Sequence, residues 1–372
     1  MTDIIADMRD KLQDDTPPPR GRLAWLGSVR MLVITIIALG YASTMPRGPG
    51  NAEYFNMFGY DPSWYGIQII FMISGFLALR SLHRHGSAGK LLLSRMGRNL
   101  PALAVFAGIV ILVLFPLFGV PLGSGETRLD QHMWYFIKVV SCFDPAVVTP
   151  GLLDNALYMC IVQGGIWTFR WGLIAFCATA LLWALGGLRN PRMLALLALG
   201  MTMLYAAIVV FSVHNPDVVF GHFMGALVTG LRLGWMYMVG MCLYAYRETL
   251  PRSLAIPSGL LALAAVQYLF LPWTPFIEIS AEIGLGYLVF LAMTSRLQVP
   301  KRIGKLPDLS LGLYIYNWPA AQIVLLMLPT LTPYKLFAVS FPVTVFLSYV
   351  TWRLVTRKIN FSLGRFLQPQ SA

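Results

Sequence analysis

A chain of 372 residues that is 57% hydrophobic and only 12% charged is too apolar for a soluble domain, which carries about 25% charged residues. Its formal net charge of +12 lies in short loops between apolar blocks, which excludes the basic face of a nucleic-acid-binding module and suits an anionic membrane leaflet. The four cysteines form no CxxC pair and no His cluster has zinc spacing, so no metal site is expected.

The leader, residues 1–22, mixes charges and then runs Thr16-Pro17-Pro18-Pro19-Arg20. It reads as a cytosolic arm, with Ile4, Ile5, Met8 and Leu12 on one face of a short helix that the prolines stop. A frayed terminus and a docking arm both fit. Ten hydrophobic blocks follow, near 23–45, 66–83, 100–122, 166–187, 192–213, 223–246, 253–272, 275–295, 307–329 and 334–356. A helix crosses a ~30 Å hydrocarbon core with roughly 20 residues. The first block lies behind a polar leader without a small-residue cleavage site, so it is expected to remain as a span. The blocks lack the period-2 alternation of a membrane barrel.

Lys and Arg concentrate in the leader and in alternate loops, as in Arg80 to Arg98, Arg189 and Arg192, Arg247 and Arg252, Arg296 to Lys305, and Arg353 to Arg365. The opposite loops hold only Arg47, Arg128, Lys138 and Lys335. Cytoplasmic loops accumulate these cations. The expected fold is an all-α polytopic membrane protein, a bundle of about ten transmembrane helices with both termini cytoplasmic. Residues 1–22 form the arm, 23–358 the membrane domain and 359–372 a cytosolic tail. Within the domain, 123–165 is an extracytoplasmic segment whose Trp134, Tyr135, Phe136 and Phe143 suit the membrane interface or a cap on the bundle. Cys142 and Cys160 share this segment and pair only if that compartment is oxidising. Cys177 and Cys242 read as packing residues.

Four stretches carry candidate chemistry. Arg30 and Tyr41 are eleven residues apart, hence on one helical face and about 16 Å apart along the axis. The second block contains Ile73-Ser74-Gly75-Phe76 and leads to Arg95-Met96-Gly97-Arg98-Asn99-Leu100-Pro101. Arg95 and Arg98 are neighbours on a helix surface and suit phosphate, or are ordinary positive-inside charge. The fourth block opens Trp167-Thr168-Phe169-Arg170-Trp171-Gly172, and the ninth runs from Asp308 to Gln322 through Tyr314, Tyr316 and Pro319. Arg170 and Arg232 fall within blocks, where they would pair with carboxylates or carbonyls. Arg170 also suits an anionic donor. Gly221, Gly225 and Gly230 offer a small-residue surface for a partner helix or for packing.

Together these stretches resemble the acyltransferase-3 family, ten-span bundles that move acyl groups, often acetyl from acetyl-CoA, onto surface glycans, lipids or antibiotics. The Ile-Ser-Gly-Phe run, the Arg95-x-x-Arg98-x-x-Pro101 loop, the Trp167 to Trp171 stretch and Asp308 to Gln322 match in order and spacing. The resemblance implies acyl-CoA as donor, held by Arg30, Arg95, Arg98 and Arg170. It also exposes departures. The family's first-span histidine is Tyr41 here, the glutamate of its Trp-Thr segment is Gly172, and an aspartate of its second span is Gln68. Imidazole titrates near pH 6.5 and a phenol near 10, so tyrosine is a poor base at neutral pH.

The sequence therefore points to a member that has lost catalysis and persists as a membrane scaffold or a subunit of a larger membrane complex in a bacterial cytoplasmic membrane, with lipids and other membrane subunits as partners. The alternative is an active O-acyltransferase that moves an acyl group from acyl-CoA to a surface glycan or lipid. Its substitute acid or base would come from Glu278, Glu282, His214 or His222. Glu278 and Glu282 share a helical face, either shallow in water or buried as functional carboxylates. A transporter ranks last, because inverted repeats are not visible.

Overall fold

The computed structural model describes residues 25–49, 56–119, 129–144, 148–214, 222–271, 276–295, 300 and 306–359. The arm 1–22, the tail beyond 359 and the basic residues Arg296, Lys301, Arg302 and Lys305 lie outside the described residues. Among the described residues no strand forms, and each apolar block contains a helix. The helices are α1 (Leu26–Thr44), α2 (Pro62–His85), α3 (Ala88–Ile109, continued by a π turn at Val110–Leu114), α4 (Leu129–Val140), α5 (Thr168–Ala184), α6 (Pro191–His214), α7 (His222–Ala245), α8 (Ala255–Phe270), α9 (Phe276–Met293), α10 (Ser310–Met327) and α11 (Pro333–Thr351). Of these, α4 lies in the segment between the third and fourth blocks.

Seven helices among the described residues are long and apolar enough to cross a membrane: α1, α2, α3, α6, α7, α9 and α11. Helices suit lipid because every backbone polar group is bonded within the segment. The α5 and α8 helices are apolar but have only 17 and 16 residues. The α10 helix carries Asn317 and Gln322, both buried inside the bundle.

Local signals set the helix ends. Asp61 caps α2, accepting from the Ser63 amide at 2.7 Å, and Pro62 occupies the first helical position where its missing donor does no harm. Gly86 ends α2 at φ 63°, a left-handed turn that favours glycine. Ser87 then caps α3 through the Lys90 amide.

The main core lies among α1, α2, α6, α7 and α9, with Ile37, Phe76, Tyr205, Trp235 and Phe290 fully buried. A second core joins α3, α4, α10 and the chain before α5 through Phe106, Val139, Leu152, Ile166 and Tyr316. Apolar side chains such as Leu112, Leu196 and Phe346 remain exposed, as suits a lipid-facing surface. The α2 and α7 helices approach most closely. A Cβ on Gly75 would strike the Tyr237 carbonyl, and one on Gly240 the Met72 carbonyl. Small residues allow this backbone approach between membrane helices.

The 148–166 chain is a cap. Thr149 donates both its amide and its hydroxyl to the Cys160 carbonyl at 2.9 Å. Trp318 Nε1 donates to the Ile161 carbonyl at 3.1 Å and Gln322 Nε2 to the Tyr158 carbonyl at 2.6 Å, fixing the cap to α10. Cys142 and Cys160 are free thiols, and Cys160 donates to Asp154.

Candidate functional site

Arg30 on α1 and Arg95 and Arg98 on α3 meet at one partly open cavity of about 130 Å³. For scale, an engineered apolar cavity of about 150 Å³ holds one benzene. Asp308, just before α10, gathers two of the guanidiniums. Its Oδ2 lies 3.2 Å from Arg30 and 3.2 Å from Arg98. Ser310 donates its hydroxyl to Asp308 Oδ1 at 2.5 Å and its amide to the same oxygen at 3.1 Å. Arg30 also donates to Ser310 Oγ at 2.7 Å. Both Asp308 oxygens are thus occupied by donors, and two cations balance the charge that burial would otherwise disfavour.

Arg95 lies over the Phe176 ring at 5.3 Å, and its buried Nε has no hydrogen-bond partner. Three cations against one carboxylate leave the cavity positive. The wall also includes Ile67, Phe71 and Ser74 on α2, Thr168, Gly172 and Phe176 on α5, Tyr237 on α7, and Tyr314 on α10. Thr168 and Tyr314 share a hydrogen bond at 2.8 Å. Among the described residues, the lining contains no carboxylate, imidazole or thiol.

The structure separates the two positions where the resemblance expects catalytic groups. Gly172 is part of the cavity wall, and a Cβ there would meet nothing within 4 Å. Tyr41 is not part of that wall. Its ring packs edge-on against Trp318 at 5.2 Å and lies 3.6 Å from where a Gly165 side chain would begin. Its buried hydroxyl has no partner. The space at Gly172 is open, and glycine costs about 1 kcal/mol in a helix interior. Gly172→Glu should therefore unfold no earlier than the wild type, and a thermal melt checks it.

Arg170, expected among the donor-binding arginines, is elsewhere. It is exposed, donates to the Phe143 carbonyl and lies 3.9 Å from Asp144. Glu278 and Glu282, for which shallow positions in water were open, are buried at 2% and 1% exposure, and neither lines the cavity. Glu278 pairs with Arg232, Nε to Oε1 at 2.9 Å and NH2 to Oε2 at 3.0 Å. It also accepts from Trp64 Nε1 at 3.0 Å and the Tyr60 hydroxyl at 3.2 Å. The side chains of His214 and His222, and Gly221 with them, lie outside the described residues. Sequence reasoning missed the Asp308 anchor and the Arg232–Glu278 pair, since both join residues far apart in the chain.

No protein-family profile matches this chain, no characterised protein is significantly similar to it, and no solved structure matches its fold.

Proposed function

We propose that this chain is an acyltransferase-3-like membrane bundle that binds an acyl-CoA-type anion without turning it over, as a scaffold or subunit of a larger membrane complex. One observation carries the reading: Arg30, Arg95 and Arg98 converge on a cavity whose described lining offers no general base. Guanidiniums grip phosphate bidentately, and an acyl chain suits the apolar wall of Ile67, Phe71 and Phe176. Proton transfer in acyl transfer needs a group that titrates near neutral pH. Tyr41 and Gly172 do not supply one.

The same reading takes all ten blocks as spans, with both termini in the cytoplasm of a bacterial cell. A helix in each block and the sided distribution of Lys and Arg support it. An active O-acyltransferase would need a base at the cavity. Glu278 is already engaged by Arg232 and does not line the cavity.

Binding tests the proposal. Purified protein in lipid nanodiscs is titrated with CoA and with acetyl-CoA, and heat or ligand fluorescence is followed. Saturable binding is expected, weakened by salt. Arg98→Gln and Arg95→Gln should each weaken it about tenfold, since a hydrogen bond to a charged group contributes about 1.5–3 kcal/mol. Gly172→Glu should weaken it roughly fivefold by lowering the positive charge. Equal binding by wild type and both arginine variants would sink the proposal.

A further inference from the structure

We propose that Glu282 and Gln68 hold one proton inside the bundle, beside the Arg232–Glu278 pair and apart from the arginine cavity. Helix register places the two residues at one level of the facing surfaces of α2 and α9. Trp64 on α2 donates to Glu278 on α9, and eight residues further along both helices a Cβ on Gly286 would lie 2.9 Å from Met72 Sδ. The two helices therefore run in the same direction, and each step of four residues stays on the shared face. Midway between those contacts stand Gln68 and Glu282.

Both side chains are 1% exposed. Gln68 Oε1 and both carboxyl oxygens of Glu282 are buried without a hydrogen-bond partner. Buried polar atoms of this kind call for a bound species or another explanation. Here the unpartnered atoms are all acceptors, so what fits between them is a hydrogen-bond donor.

Charge balance gives the same answer. Arg232 is held by Glu278 through two contacts, and donates to the Tyr205 hydroxyl at 2.8 Å. Its face is covered by the Trp64 ring at 4.5 Å. Glu278 has that cation and two neutral donors. Glu282, one turn away, has neither, and an unmatched charge inside a bundle is costly. The groups around Glu282 are Glu278 on its own helix, Arg232 on α7, Tyr205 on α6, Tyr60 just before α2 and Tyr65 in its first turn. None of these supplies a second cation. A proton on Glu282 turns one orphaned acceptor into a donor to the neighbouring Glu278 carboxylate, at the level of Gln68. The cavity uses a different face of α2, through Ile67, Phe71 and Ser74.

The test uses the full-length protein in lipid nanodiscs. An apolar carbodiimide, dicyclohexylcarbodiimide, reacts with protonated carboxyls in apolar surroundings, and peptide mass mapping locates the adduct. The expected adduct is on Glu282 and not on Glu278, and it declines as pH rises. It should be unchanged when sodium replaces choline at constant ionic strength. Infrared spectra cover failure of the reagent to reach the site: a carboxylic-acid carbonyl band present in the wild type should vanish in Glu282→Gln, which copies the protonated form and should melt with the wild type. The band alone, without an adduct, supports the proton. Absence of both adduct and band overturns it, and so does suppression of the adduct by sodium, which would make this an alkali-cation site.

Discussion

Glu278→Gln is expected to lower stability by about 3–5 kcal/mol, the usual cost of breaking a buried ion pair by removing one partner. The substitution keeps the shape of the side chain but leaves the Arg232 guanidinium inside the bundle without its counter-ion. Four elements meet at this pair, through Tyr60 and Trp64 at α2, Tyr205 on α6, Arg232 on α7 and Glu278 on α9. Loss of the charge therefore strains the whole main core. Arg232→Met alone should cost a similar amount, because it leaves the buried Glu278 carboxylate without its cation. Arg232→Met combined with Glu278→Leu should recover much of the loss, since apolar replacement of both partners is often neutral or stabilising. Thermal unfolding in a fixed detergent checks the series. A Glu278→Gln protein that melts with the wild type would show that the pair contributes little.

Gly240→Ala should be nearly as damaging, and Gly172→Ala harmless. The new methyl at 240 would meet the Met72 carbonyl, which is backbone and cannot swing aside. Helices α2 and α7 must then move apart, and overpacking of this kind costs about 1–3 kcal/mol, sometimes more. Tyr237 and the α2 residues of the cavity wall move with them, so ligand binding should fall along with the melting temperature. At Gly172 the same methyl enters open space and improves helix propensity. Equal melting temperatures for Gly240→Ala and Gly172→Ala would contradict the close crossing of α2 and α7.

Hydropathy made the helices legible because lipid leaves a long apolar segment little choice but to be helical. It was less informative about how much of each block is regular. The block near 166–187 becomes a helix only from Thr168 to Ala184; ahead of it the chain is held in the cap, with Trp318 packed where a Gly164 side chain would be, and Gly186 follows its end at φ 80°. Arg95 and Arg98, neighbours by their spacing, both line the cavity, and Arg30 joins them. Arg170 does not line it, and helical geometry explains why. Thr168, Gly172 and Phe176 repeat every four residues and face the cavity. Arg170, two steps from Thr168, is rotated by about 200° to the far side. Tyr41 shares a face with Arg30, as its spacing required, but the Thr168–Tyr314 bond and the Trp318 ring stand in that region. Shared helical face alone did not place it on the cavity. The Asp308 and Glu278 pairings were illegible, because nothing local in a sequence matches a cation to a carboxylate several helices away.

The most direct measurement is release of CoA thiol from acetyl-CoA by the purified protein in native lipids, at a concentration that saturates binding, with a surface-glycan fraction as acceptor and protein-free membranes as blank. Bound ligand without protein-dependent thiol is the expected result. Release that depends on the protein and disappears in Arg98→Gln would overturn the non-catalytic reading and establish a working transferase.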